Sequence, residues 1–400
     1  MRIIFVNRFY WPDEPATAQL LTDLAEALAS KGWTIEVIAS LPAAGASPSD
    51  ETRAGVRIRR IAGTRWGRRS LAGRVIDFAT FLLGTCWQLL RTVRRCDVVV
   101  AMTDPPLLGL LLSAVCWLKS ARCLHWVQDV YPEVAATLSD STLLGGLSVP
   151  LRWLRNLSWR SSAGCIALGR DMADLIARAG VEPGHIAVIP NWAPAGVEPP
   201  PAVASQAFRR QWGLEGKFVA VYSGNLGRVH DLVPVLAAAK CLRDDPDIVF
   251  LFIGGGAQRA PLEQFARKNG LTNVRFEPAQ ARRDLSAALA TGDIHFVTLH
   301  PGCAALVFPS KLYGIAAVGR PVLFVGPAGC ELADLVRDRG MGYAFHREEP
   351  AAIAATLRQL ASSPATAARL GENAAAFSRR EGRLEHAVAA WDRLLREAAC

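Results

Sequence analysis

Val219-Ala-Val-Tyr-Ser-Gly224-Asn-Leu-Gly227-Arg228-Val-His-Asp231 is the stretch on which the reading of the fold turns. A run rich in β-branched and aromatic residues stops at Gly224, passes a second glycine and an arginine, and restarts as an apolar periodic segment behind Asp231. The pattern predicts strand, glycine turn, helix. Glycines let backbone approach a ligand closely, and the free N–H groups of a helix start suit an anion. Arg228 adds a fork-shaped charge for phosphate. The spacing G-x-x-G-R is neither the dinucleotide fingerprint nor a P-loop, so a phosphate site and a plain tight turn both satisfy it.

Working outward, the second half repeats this grammar. Phe218 to Tyr222, Ile248 to Ile253, Val274 to Phe276, Ile294 to Leu299 and Pro321 to Val325 read as strands, each followed by helical sequence. Three of them end in clusters at Gly224 to Arg228, Gly254 to Ala257 and Gly326 to Gly329, which fall on one edge of a parallel sheet. The first half also alternates: strands at Ile3 to Val6, Thr34 to Ala39, Arg53 to Ile61, Asp97 to Met102, Arg122 to Val127, Cys165 to Leu168 and Ile186 to Ile189 are separated by helical segments. The class is α/β, with two Rossmann-like, doubly wound parallel sheets facing across a cleft. Pro190 to Ala202 is proline-rich and aperiodic. The expected division is residues 1–190, a linker at 191–203, a second domain at 204–380, and a C-terminal helix at 381–400 packing back on the first domain.

Composition supports a globular chain of 400 residues, 51% hydrophobic and 20% charged. The net charge of +9 is concentrated: between Arg53 and Arg95 stand eleven arginines against one acid, Asp77. Within this region, about 64–95, the centre of Leu71 to Val93 is nearly apolar all round but too short and too interrupted for a membrane span. With Trp66 and Trp87 it reads either as a helix lying in a membrane interface or as a buried core helix with basic ends. Aromatic and basic residues do not interleave along the chain as a nucleic-acid groove requires. Nine scattered cysteines without a C-x-x-C pair indicate reduced thiols rather than disulfides or zinc, and the N-terminus lacks a signal-peptide pattern. No G-x-S-x-G is present, which disfavours a hydrolase triad, and the one acid cluster of D-x-D type, Asp244-Asp-Pro-Asp247, reads as a turn rather than a metal site.

Lys311, one of only six lysines, precedes a helix and is either a phosphate ligand or a water-facing side chain. His125-Trp-Val-Gln-Asp129-Val-Tyr-Pro-Glu133 places Asp129 at a strand's carboxyl end, as a cleft carboxylate or a turn cap. Asn7-Arg-Phe-Tyr-Trp-Pro12, behind the first strand, either lines an acceptor site or packs as a loop.

These motifs, with Val188-Ile-Pro-Asn-Trp192, Gly254-x-Gly256, Pro309-Ser-Lys-Leu-Tyr-Gly314 and Gly319-Arg-Pro-Val322, resemble the GT-B glycosyltransferases of the large retaining family four. The likeness is to bacterial members that build O-antigen, colanic acid and capsular repeats, and within them to transferases of UDP-N-acetyl-L-fucosamine type. It implies a UDP-sugar held by Gly224, Asn225, Gly227, Arg228, Gly254, Gly256, Phe276, Pro278, Ser310, Lys311 and Glu331. It implies catalysis by Asp129, Arg228 and Lys311 without metal or cofactor. A polyprenyl-diphosphate-linked sugar acceptor would meet Asn7, Tyr10, Trp11 and Tyr131. The basic stretch then serves an anionic membrane surface, and the protein sits at the cytoplasmic face of the bacterial plasma membrane. One motif departs: the family's E-x7-E falls on Leu306 and Gly314, and Asp129 stands where relatives often carry histidine. A C2 epimerase of nucleotide sugars, or an inactive membrane-docked scaffold, would share the fold.

Overall fold

The computed structural model describes residues 1–400 except 43–48, 68–70, 140–141 and 399–400. The chain divides into two compact units, Met1–Asn191 with Leu384–Cys400, and Trp192–Arg383.

Among the described residues of the first unit eight strands, β1 Arg2–Val6, β2 Thr34–Ser40, β3 Asp50–Arg53, β4 Val56–Ile61, β5 Val98–Ala101, β6 Arg122–Trp126, β7 Gly164–Ala167 and β8 Ile186–Val188, lie in the order β3-β4-β2-β1-β5-β6-β7-β8. All pairings are parallel except β3 on β4. Ile3 to Val6 are wholly buried, as both-face coverage by helices demands. The single strand expected over Arg53 to Ile61 is therefore a hairpin. Its two-residue turn, Ala54-Gly55, has positive φ at both positions, and an alanine there hides the turn from the sequence.

The second unit holds β9 Phe218–Ser223, β10 Ile248–Ile253, β11 Val274–Glu277, β12 Ile294–Thr298, β13 Val322–Val325 and β14 Gly342–Phe345, all parallel, in the order β11-β10-β9-β12-β13-β14. This is the doubly wound order, reversing between β9 and β12 as the first sheet reverses between β1 and β5. Its core carries stacked rings, Phe250 on Phe296 at 5.9 Å and Phe252 on Phe276 at 5.1 Å. The edge strand β14 escaped the sequence reading because it opens on Gly342, where a Cβ would stand 1.7 Å from the Val322 carbonyl oxygen.

The proline-rich stretch expected as a linker over 191–203 belongs to the second unit from Trp192 onward. Trp192 is buried and the Ala193 N–H donates to the Gly382 carbonyl at 2.9 Å. A buried tryptophan outweighs a loop-like composition. The C-terminal helix Leu384–Glu397 packs into the first unit through Trp391, which meets Phe5 and Trp126 edge-on at 5.9 and 5.1 Å. Asp392 accepts from Trp33 Nε1 at 2.8 Å beside it. Trp391→Ala is expected to lower the stability of the first unit by about 3–5 kcal/mol, measured by urea unfolding followed by tryptophan fluorescence.

Candidate active site

In an open parallel sheet the loops leaving the two strands at the reversal diverge, so side chains there face a crevice. In the second unit those loops follow β9 and β12. The β9 loop is seated on the β10 loop: the Gly224 N–H donates to Ile253, and the Leu226 N–H to Gly255 at 2.7 Å. Gly224, Gly254 and Gly256 all have positive φ. A Cβ on Gly254 would lie 2.2 Å from the Gly224 oxygen, and one on Gly256 2.7 Å from the Leu226 carbonyl. Gly254 and Gly256, expected as donor contacts, also allow the two loops to come this close. Gln258 Nε2 bonds the Gly227 and His230 carbonyls and holds the turn from below.

Lys311 opens the helix Lys311–Ala317 and comes to within 3.7 Å of a Cβ built on Gly224. Its Nζ is buried, has no hydrogen-bond acceptor among the described residues, and sits 3.6 Å from the centre of the Tyr222 ring. The ring face attracts the ammonium, yet burial still holds the lysine well below its ordinary pKa. His230 lies edge-on to the same ring at 5.8 Å. Its Nδ1 is 2.8 Å from the Thr298 carbonyl, which can only accept, so Nδ1 carries the proton and Nε2 a lone pair. Burial, with the Lys311 charge adding to it, pushes His230 down to about 3. Arg228 is exposed at the mouth of the loop. Asp231 Oδ1 accepts from the Val233 N–H at 3.3 Å and Oδ2 pairs with Arg347 at 3.2 Å, a capping role.

The remaining expected donor residues are spread along the same strand-end edge. Phe276 is half-buried on Phe252, Pro278 is exposed, Ser310 precedes the Lys311 helix, and Glu331 opens Glu331–Asp338. Tyr222, His230 and Gln258 were not singled out from sequence. His230 lies between Arg228 and Asp231, and only its contact with Thr298 across the reversal marks it.

In the first unit the reversal joins the loops after β1 and β5. The Arg8 N–H donates to the Asp104 carbonyl at 2.9 Å, and Arg8 Nε pairs with Asp104 Oδ1 at 3.3 Å. Asp129, behind β6, is half-buried, with its N–H 3.4 Å from Thr103 Oγ1. Burial, reinforced by the Asp104 charge, raises the Asp129 carboxyl to about 6. Asp129 and Tyr131 line a small cavity of about 40 Å³ with His125 and Arg155. Arg155 is held by Glu133 at 2.7 Å and lies over Trp159 at 3.9 Å.

Two of the expected acceptor residues do not face solvent. Asn7 is buried, with Nδ2 donating to the Phe9 carbonyl at 2.7 Å, and Tyr10 is wholly buried. Trp11 is exposed but covered on one face by Arg53 at 4.3 Å. The loop presents Arg8 and Phe9 outward instead, because Asn7 and Tyr10 are drawn inward as core and hydrogen-bonding anchors.

Two parallel α/β units, each with polar side chains at its reversal point, define the GT-B architecture. Residues 17–192 match the Glycosyl transferase 4-like domain and residues 204–377 the Glycosyl transferases group 1 family; the chain is a glycosyltransferase carrying both domains. It is 28% identical over 376 residues to WcaI of Escherichia coli (strain K12), a glycosyl transferase assigned to colanic acid biosynthesis, covering 90% of this chain and 92% of WcaI. Among solved structures, HepE of Anabaena with UDP and glucose superposes with a TM-score of 0.74 at 16% identity, over 99% of both chains. Sucrose-phosphate synthase of Thermosynechococcus elongatus superposes at 0.78, also at 16% identity and 99% of both chains. These superpositions speak to the fold.

The Asp129 pKa has a definite sign. Its folded value lies above its ordinary 3.8, so above about 6 the folded state holds a charge that the unfolded chain carries more easily. Asp129→Asn is expected to melt at a higher temperature than wild type at pH 7, an advantage that disappears below about pH 4. In kcat/KM the acidic limb near pH 6 should vanish in the variant. A wild-type limb that persists in Asp129→Asn removes the residue from the reaction.

Proposed function

We propose that this glycosyltransferase moves a sugar, of N-acetylated amino or deoxy type, from a UDP donor to a polyprenyl-diphosphate-linked sugar, with retention, in cell-surface polysaccharide synthesis. The observation that carries the reading is the Lys311 ammonium, buried at the glycine turn with no acceptor of its own among the described residues. An unpaired buried cation is costly unless an anion completes it. The HepE complex with UDP and glucose, and the description of WcaI as a putative colanic acid biosynthesis glycosyl transferase, support a nucleotide sugar and a polysaccharide product.

In this reading the acceptor hydroxyl attacks the anomeric carbon on the face from which UDP departs. The bond from that carbon to the β-phosphate oxygen breaks, and the hydroxyl proton passes to a β-phosphate oxygen. Lys311 and Arg228 stabilise the growing diphosphate charge, in the place a metal takes elsewhere. Asp129, ionised above about pH 6, orients the reacting sugar. Arg228→Ala and Lys311→Met should each weaken UDP binding by about tenfold or more, read by isothermal titration. Because an anion favours the ammonium, wild-type binding should also take up protons at alkaline pH, and Lys311→Met should not. Unchanged UDP affinity in both variants would sink the donor assignment. The function itself is tested by a donor screen with a lipid-linked sugar acceptor, with released UDP read by mass. Conversion of UDP-N-acetylglucosamine without acceptor would indicate an epimerase.

A peripheral place on the cytoplasmic membrane face belongs to the same reading. Among the described residues no helix is long and apolar enough to cross a membrane. Helix Leu71–Thr92 exposes Leu83 and Trp87, with Arg91 over the Trp87 ring at 4.0 Å. The adjoining helices Leu108–Lys119 and Thr142–Arg160 expose Trp117, Leu118, Trp153 and Leu157. Exposed tryptophans beside arginines suit a headgroup interface. A Trp117→Ala/Trp153→Ala variant should sediment with phosphatidylglycerol vesicles about tenfold less than wild type while binding UDP equally.

A further inference from the structure

The first unit holds a cavity of about 540 Å³ at the strand-end edge, distinct from the small one beside Asp129. It opens between the ends of β1, β2 and β4 and the first turns of helix Leu71–Thr92. Its wall combines guanidinium groups from Arg8, Arg65 and Arg74 with the rings of Phe9, Phe78 and Phe81.

The wall is built rather than incidental. Asp77, on the helix, accepts from Thr64 Oγ1 at 2.8 Å, the Trp66 N–H at 2.9 Å and the Gly67 N–H at 2.8 Å. These bonds clamp the loop after β4 onto the helix. Gly67 and Gly73 permit the clamp: a Cβ on Gly67 would lie 2.8 Å from the Asp77 carboxylate, and one on Gly73 2.3 Å from the Trp66 oxygen. Arg65 is anchored through Nη2 to the Leu41 and Pro42 carbonyls, at 3.0 and 2.5 Å, and among the described residues its Nε and Nη1 donors have no acceptor. Among the described residues Arg74 spends only Nε, on the Gly67 carbonyl at 3.3 Å. Arg8 lies over Phe9 and Phe78, at 4.4 and 4.9 Å, while paired to Asp104. Asp13 and Asp77 also line the space, so the lining residues carry +3 − 2 = +1, and the Asp77 carboxylate is already engaged by three donors.

We infer that this cavity binds the diphosphate of an amphiphilic, lipid-linked acceptor, with Arg65 and Arg74 on the phosphates and Phe78 and Phe9 against the first part of the chain. The assignment rests on the transferase reading for the identity of its ligand. The chemistry is that of the wall: planar forks match phosphate oxygens, and rings beside them match hydrocarbon. The same helix exposes Val75 close behind Arg74, with Trp66 exposed on the clamped loop, so a chain leaving the cavity meets apolar surface. Arg8, in the wall of this cavity, is also paired to Asp104, so the cavity adjoins the loop after β5.

The test is isothermal titration of the full chain with farnesyl diphosphate and, separately, inorganic pyrophosphate, each with UDP present in excess to occupy the donor site. Farnesyl diphosphate should bind wild type more tightly than pyrophosphate does, and about tenfold or more weaker in R65A/R74A. F78A should weaken farnesyl diphosphate and leave pyrophosphate unchanged. Melting curves check folding, and the single variants R65A and R74A carry the comparison should the double variant melt early. Equal affinity in R65A/R74A and wild type overturns the site, as does farnesyl diphosphate binding no tighter than pyrophosphate. A loss confined to phosphatidylglycerol vesicles also overturns it, making the arginines headgroup contacts. UDP titrated alone separates the two readings: wild type that shows the farnesyl diphosphate pattern yet binds no UDP loses the donor assignment and keeps this one.

Discussion

The strand order of each sheet reverses at one point, between β1 and β5 and between β9 and β12, and both candidate sites of this protein depend on that constraint. Where strand order reverses, the two outgoing loops part and leave side chains facing a crevice instead of a neighbouring loop. In the second unit this brings Lys311, behind β12, against Gly224 and the Tyr222 ring of β9, which His230 of the same β9 loop also meets. In the first it brings Arg8 to Asp104, and through Asp104 the field that acts on Asp129. Both sites are consequences of topology before they are consequences of residue choice.

The two sites use burial in opposite directions. At Lys311 burial disfavours the charge, and in the proposed reading a diphosphate would gain by restoring it. At Asp129 burial and a neighbouring carboxylate raise the pKa to about 6, which leaves a carboxylate that is ionised at neutral pH but gives up its charge readily. His230, driven to about 3, stays neutral and offers a hydrogen-bond acceptor where a second cation would compete with Lys311. A chain can carry such costs because the surrounding sheets are tightly filled, from the phenylalanine stacks of the second unit to Trp391 in the first.

Much of the strand framework was legible because buried parallel strands read as unbroken apolar runs, such as Ile248 to Ile253. The same property hid the orientation of the loop residues behind each strand. With Ile3 to Val6 buried on both faces, no polar alternation tells which of Asn7, Arg8, Phe9 and Tyr10 points outward, and the sequence reading chose the two that point in. The Ala54-Gly55 hairpin and β14 were invisible for local reasons, an alanine in a positive-φ turn and a glycine inside a strand. Trp192 showed the limit of composition, since proline-rich surroundings said linker and one buried ring said domain.

By itself, the sequence determined the fold class, the alternation of strands and helices, and the residue types available at the strand ends, because these depend on local periodicity and glycine chemistry. Which of those residues meet was decided only in three dimensions. Gly254 and Gly256 turned out to face another loop, Lys311 to lie against Tyr222, and Arg65 and Arg74 to share a cavity with Phe78. Such meetings depend on strand order and loop packing between segments far apart in the chain, and no local pattern records that.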